Sequence, residues 1–78
     1  MTVAVELARA QDAPDLALIL AEHGLEADVR GGSCELMVVA DDVVSVEHVV
    51  EEWTASRGLP FVPYLVGSNR VVVAPPGS

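Results

Sequence analysis

The side chains able to do chemistry are few and spread apart. Cys34 is the single cysteine, and His23 and His48 are the two histidines. A thiol nucleophile needs a base within hydrogen-bond reach, and no short spacing joins Cys34 to either histidine. The same residues lack the C-x-x-C or H-x-x-x-H spacing of a metal site. As structure, a cysteine beside a Gly-Gly turn reads as a small hydrophobe. A histidine closing a helix sits well at the negative end of its dipole. Glu51-Glu52 and Asp41-Asp42 offer carboxylate pairs, but acid–base work needs them convergent in a dry cleft. Adjacent residues on a helix do not face each other, so Glu51 and Glu52 read as a solvated face. Asp41-Asp42 lacks the oxygen ladder of a calcium loop and reads as a helix cap. Glu6, alternating among apolar neighbours, is a candidate proton carrier, against which stands the plain reading of an exposed carboxylate. Arg30-Gly31-Gly32-Ser33 offers converging backbone N–H groups to an anion, and the same residues make a hairpin turn. Trp53 falls in a helical apolar stripe, which assigns it to the core. No catalytic residue, metal ligand or cofactor is expected from these patterns.

The counts exclude further classes. The chain has 78 residues, twelve of them acidic and four basic, for a net charge of −8. All four basic residues are arginines: Arg9, Arg30, Arg57 and Arg70. The absence of lysine removes Schiff-base chemistry and the phosphate-loop lysine. Scattered cations in an acidic chain argue against nucleic acid and against an anionic membrane surface. A lone cysteine cannot make an internal disulfide. The start, Met1-Thr-Val-Ala-Val-Glu6, has no basic segment or long apolar run, so no signal peptide is expected and the default location is the reducing cytoplasm. The apolar runs Leu16–Ala21 and Leu36–Ala40 are far short of the ~20 residues that cross a bilayer.

The elements that would position these side chains follow from periodicity. Val3, Val5 and Leu7 alternate with Ala4, Glu6 and Ala8, the pattern of a strand with one buried face. Asp12-Ala-Pro-Asp15 opens a helix over roughly 13–23, with Asp12 as its cap and Gly24 as a left-handed stop. Glu26–Arg30 and Glu35–Ala40 read as a hairpin about the Gly-Gly turn. Asp42 or Ser45 caps a second helix, whose stripe is Val46, Val49, Val50 and Trp53. Gly58-Leu-Pro60 ends it. Phe61–Val66 and Arg70–Ala74 form a second hairpin, in which Pro63 demands an edge or a bulge. Residues 75–78 read as a tail.

The order β-α-β-β-α-β, with a further C-terminal β arm, is the split β-α-β arrangement of the ferredoxin-like α+β fold in one domain, residues 1–74. Two helices cover one sheet face and leave the other open. The apolar runs at Leu36–Ala40 and Val71–Val73 place side chains on both faces, so Met37, Val39, Val71 and Val73 are the expected interaction residues. Such an exposed face marks a contact surface, and a homodimer through it or through an edge is the simplest cover.

The stretch Glu6-Leu-Ala-Arg9, then Asp15-Leu-Ala-Leu-Ile-Leu-Ala-Glu-His-Gly-Leu-Glu-Ala-Asp-Val-Arg30, with Glu35-Leu-Met-Val-Val39 and Val49-Val-Glu-Glu-Trp53, resembles small signal-transducing domains distantly related to the PII nitrogen regulators. The likeness covers roughly residues 3–53 and rests on hydrophobic pattern plus Gly24. It implies the same fold and a regulatory binding role, and carries no catalytic residue. PII proteins bind nucleotide through basic residues, and this chain has no lysine for that. The second hairpin departs from the pattern.

The expectation is therefore a small non-enzymatic regulatory or protein-interaction module that self-associates, with a protein partner or small effector. Two other classes stay open from sequence. One is a dimeric ferredoxin-like enzyme with His23, His48 or Glu6 as proton carrier. The other is an acidic decoy that mimics nucleic acid.

Overall fold

The computed structural model describes residues 1–29 and 34–74. The Arg30-Gly31-Gly32-Ser33 turn and the tail at 75–78 lie outside the described residues. The elements are β1 (Thr2–Glu6), α1 (Ala13–Glu22), β2 (Glu26–Val29), β3 (Glu35–Val39), α2 (Val43–Arg57), β4 (Val62–Val66) and β5 (Arg70–Ala74), with one 3₁₀ turn at Ala10–Asp12. They build one five-stranded mixed sheet in the order β2-β3-β1-β5-β4. The β1–β3, β2–β3 and β4–β5 pairs are antiparallel and the β1–β5 pair is parallel. This is an α+β fold of the ferredoxin-like split β-α-β kind. The C-terminal arm is not an outer addition: β5 is inserted between β1 and β4, so that β4 becomes the edge.

Backbone direction decides which groups each edge leaves unpaired. The Ala4 N–H donates to the Asn69 carbonyl at 2.9 Å. Residues 69, 71 and 73 therefore turn their peptide groups toward β1, and Arg70, Val72 and Ala74 turn theirs toward β4. In register those three face Val66, Tyr64 and Val62. Pro63 and Leu65 are left with their peptide groups pointing outward. A residue without an N–H fits there and nowhere else in the strand, which is why Pro63 sits on an edge. At the other edge, the Leu7 N–H to Cys34 carbonyl bond and the Ala40 N–H to Met1 carbonyl bond orient even residues of β3 toward β1. By the same alternation Ala27 and Val29 of β2 face outward.

The core lies between the sheet and the helices. Val3, Val5, Leu36, Val38, Val71 and Val73 point from the sheet into Leu16, Leu20, Val46, Val50 and Trp53. α1 packs over β2 and β3, and α2 over β4 and β5. Both helices end as their glycines dictate. Gly24 has φ +78° and Gly58 φ +65°, and in each case the next residue's N–H reaches back to close the turn, Leu25 to Leu20 and Leu59 to Thr54, both at 2.9 Å. Asp42 caps α2 by accepting the Ser45 N–H at 2.7 Å. α1 differs from expectation: Asp12 occupies the cap position without a side-chain cap bond. Its carboxylate instead receives Arg9 Nε at 2.9 Å and Nη2 at 3.0 Å. A bidentate charged partner three residues back outcompetes a backbone N–H.

Candidate functional site

The candidates for chemistry stay apart. Cys34 is half-buried against the core, a free thiol. His48 is exposed on α2. His23 is exposed at the end of α1, its Nε2 3.8 Å from Glu52 Oε2. His23 and Glu52 line an open groove of about 550 Å³ between the helices, with Ile19, Glu22, Trp53 and Ser56. Among the described residues no group of three or more His, Cys, Asp or Glu side chains converges to hold a metal. Nor, among the described residues, is any helix long and apolar enough to cross a membrane. Glu6 is an exposed carboxylate on the open face, 3.0 Å from Arg70 Nη1, and the same guanidinium lies 3.4 Å from Glu35.

Asp15 does more than complement a helix dipole. Its Oδ2 accepts from Trp53 Nε1 at 2.8 Å and from Arg57 Nε at 2.9 Å, and its Oδ1 accepts from Arg57 Nη2 at 2.9 Å. This joint ties the start of α1 to the end of α2. The Arg57 guanidinium first, and the Trp53 N–H second, hold the Asp15 carboxyl below the usual carboxylate range. The Ser45 backbone N–H does the same for Asp42. Sequence spacing could not show the joint, because its members are 38 and 42 residues apart.

What remains is the open face of the sheet. Strand alternation and register place Thr2, Ala4, Glu6, Glu26, Asp28, Glu35, Met37, Val39, Val62, Tyr64, Val66, Arg70, Val72 and Ala74 there. Met37 is half-buried and Val39 is 55% exposed, both on this face. Val71 and Val73 are not: they are 0% and 2% exposed, locked against the helices. The correction comes from phase, since pairing with β1 aligns Val71 with core-facing Val5 and sends Val72 to the open side.

The open face divides into two halves on either side of β1, whose Glu6 meets Arg70 of β5 and stands in register with Glu35 of β3. On one side Glu26 and Asp28 stand beside Met37 and Val39, lining a shallow hollow of about 310 Å³ together with Ala27. On the other, Val62, Tyr64, Val66, Val72 and Ala74 carry no charge. Val62, Tyr64 and Val66 are 41%, 46% and 47% exposed. The missed signal was in the charge order: all twelve acidic residues lie within 1–52, and residues 53–78 contain none.

No family model matches this chain, no curated protein is significantly similar to it, and no solved structure matches its fold significantly.

Proposed function

We propose that this chain is a small non-enzymatic regulatory module that binds protein through the open face of its sheet and associates with itself. One observation carries the reading: β4 presents exposed Val62, Tyr64 and Val66 beside half-buried Val72 and Ala74 of β5, on a sheet face that neither α1 nor α2 covers, in a chain of net charge −8. Uncovered apolar surface of this kind costs solubility unless a partner takes it up. The described cations, Arg9, Arg57 and Arg70, are each engaged by a carboxylate, which disfavours phosphate-rich ligands and nucleic acid. The likeness of residues 3–53 to PII-related signal-transducing domains points the same way, toward binding rather than turnover. A reducing cytoplasm suits the single free thiol of Cys34.

The test is site-specific photocrosslinking in producing cells. A probe replacing Val72, on the open face, is compared with one replacing Val44, which is 61% exposed on α2. Discrete adducts from position 72 alone support the reading. Equal adducts from both positions, or none from position 72, contradict it.

A further inference from the structure

The open edge of β4 differs from the edge of β2. Leu65 turns an N–H and a carbonyl outward, and Pro63 a carbonyl alone. The side chains around them, Val62, Tyr64, Leu65 and Val66, are exposed and uncharged. From Gly58 to Asn69 there is no charged residue. Two copies of a chain with net charge −8 repel, and the contact between them that costs least is one where carboxylates are absent. A face-to-face dimer fails this requirement. Turned about an axis across the strands, it sets Glu26 and Asp28 against their own copies. Turned about an axis along the strands, it lays those carboxylates over Tyr64 and Val66. Edge pairing through β2 brings the same two acids together.

We propose, resting on the self-association read above, that the β4 edge pairs antiparallel with the β4 edge of a second copy of this chain, about a two-fold axis at Leu65. In that register the two Leu65 residues exchange N–H to carbonyl bonds, and each Tyr64 lies beside the partner's Val66. The uncharged halves of both open faces become one continuous patch at the centre, and the acidic halves stand at the far ends. Pro63 fits the scheme: its missing donor takes nothing from the Leu65 exchange at the axis, whereas a register that sets Pro63 opposite Leu65 loses the bond Pro63 would donate.

Sedimentation velocity on the full chain, over a concentration series at physiological salt, tests this. The wild type forms dimers. Leu65→Lys weakens dimerisation by at least about tenfold, since a charge at the axis meets its own copy. Val39→Lys, on the acidic half, leaves the dimer intact. Circular dichroism checks that both variants fold, and Tyr64→Lys replaces Leu65→Lys if the latter does not. A wild type that stays monomeric overturns the edge pairing while leaving the open-face reading to the crosslinking result. A dimer weakened by Val39→Lys and not by Leu65→Lys overturns it and moves the contact onto the face. Equal effects, or none, from both variants overturn it as well.

Discussion

The two edges of the sheet present opposite chemistry to water. β2 reads Glu-Ala-Asp-Val, sends both carboxylates to the open face, and has α1 packed along it. β4 reads Val-Pro-Tyr-Leu-Val and has no charge. Both are short, and both turn peptide groups outward at two positions. Charge blunts the first edge against any acidic neighbour, including another copy. Proline blunts the second only in part, because it removes one donor and leaves the rest of a register usable. The difference teaches that charge on one edge and a proline on the other leave unequal openings for a further strand.

The largest expected effect comes from putting a charge into the core. Val71 is fully buried and stands opposite Leu65 in the β4–β5 ladder. Val71→Asp puts an unpaired carboxylate in the core and should cost about 3 kcal/mol or more in urea unfolding. Leu65→Lys, one strand away, should leave monomer stability within about 0.5 kcal/mol. If the two cost the same, the contrast in burial between β5 and the β4 edge fails.

Exchanging the edges' charges breaks the comparison more selectively. Val62→Glu with Val66→Glu gives β4 the character of β2 and should abolish self-association seen by light scattering. Glu26→Val with Asp28→Val uncovers β2 and should produce species larger than a dimer. An unchanged oligomeric state in both would show that edge charge decides nothing here.

The joint at Asp15 couples the halves, since α1 sits over one and α2 over the other. Asp15→Ala strips the Trp53 N–H of its acceptor, and should destabilise by about 1–2 kcal/mol. The Asp15–Arg57 ion pair, being exposed, adds little. Because the folded Asp15 carboxyl titrates below its unfolded value, its contribution is present above the ordinary Asp pKa near 3.8 and is lost as pH falls through the lowered one. Thermal melts of wild type should decline on that acid limb, and Asp15→Ala should flatten it. The smallest effect is Asp42→Ala, which removes the Ser45 N–H acceptor at the start of α2 and should lower the melting temperature less than Asp15→Ala does.

Local signals carried much of the fold. The β1 alternation, the Gly24 and Gly58 stops, the α2 stripe and the edge position of Pro63 each follow from one residue's geometry or from a period. The insertion of β5 beside β1 does not, because parallel pairing between residues 4–6 and 70–72 leaves no local trace. The face of Val71–Val73 was equally hidden: three identical residues have no phase of their own, and the partner strand sets it. Asp12 was misread as a cap because Arg9 lies within reach of the same oxygens. The open face was legible as a class of surface, but its division into acidic and uncharged halves needed the strand order.

Amide hydrogen exchange of Leu65 and Ala27, both outward-facing edge amides, read as a function of protein concentration, tests the central claim most directly. The account predicts that Leu65 exchange slows as concentration rises while Ala27 exchange does not change. Exchange at Leu65 that is independent of concentration, or that slows equally at Ala27, would contradict it.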